Sequence, residues 1–485
     1  MACPWGDPEA ELEMRQLLPR WAKFDEPQEA LELLDLRFSD PVVRAHAVSV
    51  IDKLPDVELQ EYLLQLVQLV KYEPHHDSPL ARLLLVRAIR CPLIVGFRLF
   101  WLLRSEMHVP QVADRFGLLL ELYCRRCEAH RPYLARQVIV DDLLVVVAES
   151  IKTISGKKRR RESCRDRLTQ IAPLLPSRFQ VCLSPRFLVS GINAAKCLVM
   201  SSKKKPLMLW LQNAEDEADD VIVMFKSGDD LRQDLMTLQM LRIMDSVWLR
   251  RGLDLRMKPY LCCATGDDTG MLEIVTDSVT INDINSEKGG GILGAFKNST
   301  IKAFLDENAK TEEQRRDAHE NFVRTCAGYC VATFVMGIGD RHSDNIMITR
   351  AGHLFHIDFG HFLGHFKAKF GIKRERAPFV FTPAMAAAMG GRKSEGYTHF
   401  VRMSCQAFNI LREYGNLLLN LFMQMVPAGM PELQSADDVA YLQGQLNLNL
   451  TEEYEAEKLF EREIASSLST TSRQIDDTIH LWVHG

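Results

Sequence analysis

The hydrophobic pattern changes its period near residue 175, and this change limits the possible folds more than any other feature of the chain. Before it, apolar residues recur at helical spacing and strand-like alternation is nearly absent, so an all-helical region is expected. Two helix starts are explicit. "DPVVRAHAVSVIDKL" from Asp40 and "SPLARLLLVRAIRC" from Ser78 each set a capping side chain before a Pro at the first helical position. Each carries an Arg three residues after that Pro, Arg44 and Arg82, and the starts lie 38 residues apart, near the period of paired-helix solenoids. After the change, "KPLMLWLQ", "VIVMFK", "YLCCAT" and "GMLEIVT" predict short strands. Among them "DDLRQDLMTLQMLRIMDSVWL" predicts a helix with Leu231, Leu235, Leu238 and Leu241 on one stripe. From about residue 295 the pattern is mostly helical again. A small sheet lobe followed by a larger helical lobe predicts a cleft between them.

With 485 residues, two to four domains are expected. A net charge of -5 excludes a general polycation, so no nucleic-acid partner is expected, and any attraction to a membrane must come from a local patch. One such patch is "SGKKRRRESCRDR", with five consecutive cations at 157–161, read as a solvated interdomain loop. The 12 cysteines show no disulfide rhythm, and the one C-x-x-C, Cys124 to Cys127, has no second pair, so free thiols in a reducing compartment are expected rather than a zinc site. No secretory signal is visible at the start. The most apolar stretch, "LLLVRAIRCPLIVGFRLFWLL", is cut by Arg87, Arg90 and Arg98. The chain is therefore expected in the cytoplasm, at most peripheral to a membrane.

The chemistry concentrates in "GIGDRHSDNIMI" and, thirteen residues past its Asn, in "HIDFG". Protein kinases use H-R-D-x-x-x-x-N and D-F-G, with the Asn five residues after the Asp. Here Asn345 also stands five residues after Asp340, while His342 has moved to the far side of Arg341. "IMIT" and "LFHI" flank "RAGH" and predict a hairpin that carries Asn345 and Asp358 to one end. One amide oxygen and one carboxylate suit Mg²⁺, which keeps water and phosphate oxygens as its other ligands. Lys226 ends the strand "VIVMFK" and can pair with a nucleotide phosphate, oriented by Asp229, Asp230 or Asp234. There is no Gly-rich phosphate loop; Ser202, Lys203 and Lys204 of "MSSKKKPL" are the expected cover for the outer phosphates. The backbone from Glu273 to Val275 is expected to pair with an adenine edge.

"FKSGDDLRQD", "GIGDRHSDNIM", "LFHIDFGHFLGH" and "FGIKRERAPFVFT" resemble the catalytic subunit of the phosphoinositide 3-kinases, and "PQEALELLD", "SDPVVRAHAVSVI" and "FGLLLELYCR" resemble that family's helical domain. The resemblance covers nearly the whole chain. It implies a multidomain protein: an all-α, solenoid-like helical domain over 1–170, followed by an α+β bilobal protein-kinase-like lipid kinase domain. That domain would comprise an N-lobe over 171–275 with its phosphate loop at 200–206, and a C-lobe over 276–485 with its catalytic loop at 337–345 and activation loop at 356–382. It further implies ATP and Mg²⁺ as cofactors, Asp340 or His342 as the proton acceptor, His361 as a stabiliser of the transferring phosphoryl group, a phosphoinositide at a membrane surface as substrate, and a regulatory adaptor as partner.

Between residues 365 and 376 stand Lys367, Lys369, Lys373, Arg374 and Arg376 against one acid, Glu375, for a net charge of +4. Such a run beside a catalytic Asp suits a polyanionic headgroup. By resemblance to class I members, Lys367 with Lys369 and Lys373 with Arg374 and Arg376 form two boxes that read two ring phosphates, which implies phosphatidylinositol 4,5-bisphosphate. Ala377 and "SSLSTTSR" are more similar to class II, whose substrates are phosphatidylinositol and its 4-phosphate. The adaptor-binding, Ras-binding and C2 domains of class I are absent from this sequence, and Trp482 is the nearest match to the family's membrane-touching Trp. A protein Ser/Thr kinase of the same superfamily is the alternative outside lipid chemistry.

Overall fold

A computed structural model describes residues 6–21, 24, 26–289, 298–365, 368–369, 372–373 and 377–484, of which 288–289, 368–369, 372–373 and 471–484 by their backbone only. Two compact units emerge, one formed by Met1–Leu235, Leu261–Ile274 and Asn420–Ala428, the other by Met236–Tyr260, Val275–Leu419 and Gly429–Gly485.

The first unit begins with helices α1 (Pro8–Leu17), α2 (Pro41–Ile51), α3 (Asp56–Leu59), α4 (Leu63–Val70), α5 (Pro79–Arg90), α6 (Phe97–Ser105), α7 (Pro110–Arg126), α8 (Arg131–Lys152) and α9 (Lys157–Ile171). The two explicit starts form as their sequences require. Asp40 accepts from the N–H groups of Val42 and Val43, and Ser78 from that of Ala81, so each satisfies amides that a helix leaves without partners. The helices are then stitched together by buried and half-buried cations. Arg44 reaches Glu73 at 2.8 Å and the Leu34 carbonyl at 2.8 Å; Arg87 reaches Asp56 at 2.7 Å and the Leu54 carbonyl at 2.6 Å; Arg115 donates to the Val70 carbonyl at 2.6 Å. Carbonyls at or just past the ends of α2 and α4 thus find donors on later helices. The repeat-like spacing does not extend to the Arg residues: Arg44 is buried, whereas Arg82 pairs with Asp77 on the surface. The cationic stretch read as a loop is helix α9. Its Cys164, Leu168 and Ile171 form a buried stripe, and that stripe overrides the charge of the first turns.

The strands of this unit are β1 (Phe179–Val181), β2 (Ser184–Ile192), β3 (Leu198–Val199), β4 (Leu207–Asn213), β5 (Val221–Ser227), then, after helix α10 (Arg232–Arg250), which passes into the second unit from Met236, β6 (Cys262–Gly266) and β7 (Thr269–Glu273). All pair antiparallel in the order β1-β2-β4-β5-β7-β6, with β3 against β4. The four runs expected as strands are β4, β5, β6 and β7. Alternation in β4 buries Leu207, Leu209 and Leu211, and helices α6 and α8 pack on this sheet. In α10, Leu238 and Leu241 are fully buried and Leu235 is half-buried, while Leu231, just before the helix, is also buried.

The second unit holds β8 (Ser278–Thr280), α11 (Ile281–Gly289), α12 (Thr300–Asn308), α13 (Glu312–Met336), β9 (Ile346–Thr349), β10 (Leu354–His356), β11 (Ala368–Lys369), β12 (Ile372–Lys373), α14 (Pro383–Ala388), α15 (Glu395–Glu413), α16 (Gly415–Met423, which ends in the first unit), α17 (Ala436–Leu446) and α18 (Glu453–His484). Its centre is α13, buried from Asn321 to Met336 save for Arg324 and packed against α15 and β10. The expected hairpin is β9 and β10, paired antiparallel with Phe355 opposite Met347, and β8 joins its other edge. No helix among the described residues is long and apolar enough to cross a membrane.

Candidate active site

In the first unit, Lys226 lies near the end of β5 with its side chain 11% exposed, and its ammonium stands 3.1 Å from Asp229. Of the three carboxylates expected to orient it, Asp229 makes this pair from the turn that precedes α10. Asp230 instead pairs with Arg232 at 2.7 Å; burial pushes its carboxyl up, but the side-chain and backbone hydrogen bonds from Arg232, with that residue's charge, outweigh it and hold the carboxyl below the usual range. Asp234 is buried in the first turn of α10. The 200–206 stretch forms the turn between β3 and β4, with Ser202, Lys203 and Lys204 exposed. Lys204 donates to the carbonyl of Gly228, two residues past Lys226, so the turn and the strand end are brought together. Part of the Glu273 backbone is already committed: its N–H donates to Leu261 at 2.9 Å, and its carboxylate accepts from the Leu261 N–H at 2.8 Å.

In the second unit, α13 ends at Gly337, whose φ of 59° is left-handed. A side chain there would collide with the Tyr441 ring and the Gly364 backbone, so the D-R-H loop leaves the helix through a point only glycine fills. Asp340 and Asp358 also adopt left-handed φ values, 56° and 59°. Such backbone is costly for non-glycine residues and persists where surroundings enforce it. Arg341 supplies much of that enforcement. It donates to the carbonyls of Gly339 at 2.8 Å and Ile357 at 2.7 Å and to that of Asp358, and its guanidinium lies 5.6 Å from the centre of the Phe359 ring. One side chain thereby ties the D-R-H loop to the D-F-G loop.

Asn345 is buried, and its amide nitrogen donates to the Asp340 carbonyl at 2.9 Å. That bond fixes the amide orientation and leaves Oδ1 as the face turned away from the loop. The backbone closes the arrangement, since the Ile357 N–H donates to the Asn345 carbonyl at 3.0 Å. Asp358 is exposed. An oriented amide oxygen beside an open carboxylate on a paired hairpin fits a hard cation that takes its remaining ligands from water and phosphate. His342 is 51% exposed, and its Nδ1 accepts from the Asp344 N–H at 3.2 Å, which places the proton of the neutral ring on Nε2. His361 is held by Glu432, 2.5 Å from its Nδ1, while the other oxygen of Glu432 accepts from the Phe362 N–H at 2.7 Å. Glu432 lies 71 residues from His361 in sequence and Tyr441 lies farther still from Gly337, and no spacing in the sequence points to either. The Val275 carbonyl accepts the Ser278 hydroxyl at 2.7 Å.

Of the expected headgroup residues, Lys369 lies on β11 and Lys373 on β12, which pair with each other; Lys367, Arg374 and Arg376 lie outside the described residues.

The family model "Phosphatidylinositol 3- and 4-kinase" matches residues 220–435, and the model of the phosphoinositide 3-kinase accessory (PIK) domain matches residues 1–136. Over 481 residues, 99% of the chain, it is 47% identical to phosphatidylinositol 3-kinase 2 of Dictyostelium discoideum. The chain belongs to the phosphoinositide 3-kinase family. It is also 45% identical over its full length to phosphatidylinositol 3-kinase 1 and 39% identical over 97% to phosphatidylinositol 3-kinase 3 of the same organism. It spans 26%, 30% and 28% of the lengths of these three proteins. The helical region is thus the family's accessory domain and the α+β region its kinase catalytic domain, as the motifs implied. The phosphoinositide 3-kinase motifs coincide with the left-handed backbone at Asp340 and Asp358 and with the Arg341 clamp.

Proposed function

We propose that the chain is a phosphatidylinositol 3-kinase that transfers the γ-phosphoryl group of ATP to the 3-hydroxyl of a phosphoinositide, with phosphatidylinositol 4,5-bisphosphate as substrate. The observation that carries this reading is the oriented Asn345 amide beside the exposed Asp358. Mg²⁺ bound there would neutralise the charge that develops on the transferred group. Lys226, aligned by Asp229, pairs with a phosphate on the α side, and Ser202 with Lys203 or Lys204 covers the outer phosphates. The backbone from Glu273 to Val275 pairs with the adenine edge, and Asp234 supports the nucleotide site from α10. His361, steadied by Glu432, faces charge on the transferred group.

Asp340 or His342 takes the proton of the attacking hydroxyl. For His342 to do so at Nε2, the ring must adopt the other tautomer and release the Asp344 N–H from Nδ1. The two basic boxes, Lys367 with Lys369 and Lys373 with Arg374 and Arg376, read the ring phosphates. A regulatory adaptor and peripheral recruitment to a cytoplasmic membrane face complete this reading. The domain bounds that go with it are 1–170, 171–275 and 276–485.

The test is a lipid-kinase assay on matched vesicles with products resolved by ring position. Each charge-assisted phosphate contact contributes about 1.5–3 kcal/mol, or about ten- to a hundredfold in rate. Replacing Lys367 and Lys369 by Ala should depress turnover of the bisphosphate by at least that factor relative to phosphatidylinositol, with the Michaelis constant for ATP unchanged. Equal loss on both lipids would mean that the segment serves membrane attraction or folding rather than headgroup reading and would reopen the class II alternative, and transfer to peptides alone would make the chain a protein kinase.

A further inference from the structure

Strand β10 ends at His356, two residues before Asp358, and its far side rests on α13. The contact there is a pair of flat rings. Tyr329 of α13 and His356 stack with centroids 5.2 Å apart and planes 4° apart. Tyr329 is fully buried and His356 is 3% exposed. Neither polar end finds a protein partner: the Tyr329 hydroxyl and His356 Nδ1 are both enclosed without a hydrogen bond. A third enclosed atom without a partner, Asp245 Oδ1, belongs to α10. The segment that follows α10 lies directly against α13 at this level, where Leu255 and Met257 touch Gly328, the residue before Tyr329. The charge of Asp245 reaches Tyr329, where it adds to burial in pushing the phenol up.

Each buried group without a partner costs about 1–3 kcal/mol, and native proteins keep very few of them. Packing gives no reason for the hydroxyl, because the nearby core residues Phe322, Phe355 and Phe359 fill their places as Phe. The chemistry of the three atoms is complementary to one kind of guest. A hydroxyl can give and take a hydrogen bond, a ring nitrogen can do either, and a carboxylate oxygen accepts. A small molecule with two donors and two acceptors satisfies all three.

We propose that the Tyr329 hydroxyl, His356 Nδ1 and Asp245 Oδ1 enclose a site for bound water, and that this hydrated brace makes Tyr329 and His356 positioning residues for Asp358. The brace fixes the His356 ring from below, while Arg341 holds the Ile357 and Asp358 carbonyls. The D-F-G carboxylate is then set from two sides. The functional half of this inference rests on Asp358 as a metal ligand; the hydration half does not.

The two halves separate in Tyr329→Phe. If the hydroxyl is merely stranded, deleting it removes a desolvation cost and the full chain melts higher. If it holds water, deleting it strands that water and the chain melts several degrees lower. With the brace weakened, the Mg²⁺ concentration for half-maximal turnover should rise about five- to tenfold, with the Michaelis constant for lipid unchanged. Asp245→Ala should repeat both effects, and Asp245→Asn, which keeps an accepting oxygen, should stay within twofold of the parent. This second pair decides the matter if Tyr329→Phe does not fold. A higher or unchanged melting temperature in both Tyr329→Phe and Asp245→Ala overturns the water site. A lower one with an unchanged Mg²⁺ requirement overturns the positioning role. Full activity in Asp358→Asn would remove the metal reading and leave the stability result standing.

Discussion

Charged side chains are treated in opposite ways in the helical accessory region and in the catalytic loop. In the accessory region cations are consumed. Arg44, 3% exposed, spends its guanidinium on Glu73 and on carbonyls past an earlier helix end; Arg87 does the same with Asp52, Asp56 and Leu54; Lys71 is tied to Glu106. Burial lowers the affinity of Lys71 for its proton, and the paired carboxylate works against that loss. In the D-R-H and D-F-G loops the groups proposed to react are oriented by backbone and left open. Asp358 is exposed, His342 is half exposed, and left-handed φ angles at Asp340 and Asp358 are held by Arg341. A charge that stabilises the fold is surrounded by partners, whereas the carboxylate proposed for chemistry at Asp358 is oriented by its backbone and left exposed. Lys226 lies between the extremes, its side chain 11% exposed and its ammonium paired with Asp229.

The sharpest way to break this contrast is Asp358→Asn. We expect turnover to fall at least about a thousandfold, about 4 kcal/mol of transition-state stabilisation, with the melting temperature unchanged because the carboxylate is exposed. A loss of stability matching the loss of rate would mean that Asp358 is structural. The converse is Arg44→Met. It leaves Glu73 buried without its cation and the Leu34 carbonyl without its donor, so unfolding should become easier by about 3–5 kcal/mol. Rates measured well below the melting transition should stay within twofold. Lys226→Arg probes the intermediate case. The guanidinium keeps the charge but brings a larger, planar fork into a site shaped for a point-like ammonium, and about a hundredfold loss is expected. Recovery of most activity would show that Lys226 acts through diffuse charge.

The same contrast explains how far the sequence could be read. The Asp340–Asn345 spacing, the β9–β10 hairpin and the helix starts at Asp40 and Ser78 are local, so their signals are contiguous in the chain. The residues that brace the loop are not. Glu432 and Tyr441 come from the far end of the chain, and Arg341, although inside the motif, acquires its role only when it meets carbonyls sixteen and seventeen residues on. Helix α9 departs from the loop its sequence suggests because cations dominate its composition while three buried side chains decide its conformation. In each case tertiary contact supplies a term that local pattern does not contain.

The smallest effect tests whether the accessory region always pairs what it buries. Asp141 on α8 is an exception: its Oδ1 is enclosed without a partner, and burial raises its carboxyl from 3.8 to about 6. A hydrogen bond from Thr265 and the charge of Arg104 pull the other way without restoring the usual range, and Asp142 adds repulsion. A raised folded-state value means that the native chain holds this proton more tightly than the unfolded chain. The native state is therefore favoured below about pH 4 and loses that advantage as pH rises through 6, at a cost of about 3 kcal/mol once the group is ionised. Asp141→Asn keeps an oxygen for Thr265 and cannot ionise. Urea unfolding of the two chains should coincide near pH 4 and diverge as pH rises, with the variant more stable by on the order of 2–3 kcal/mol at pH 7.5. Equal stability at both pH values would mean that water or a cation reaches Asp141 and satisfies its charge. The accessory region would then also hold an open carboxylate, and the division between consumed and withheld charge would fail there.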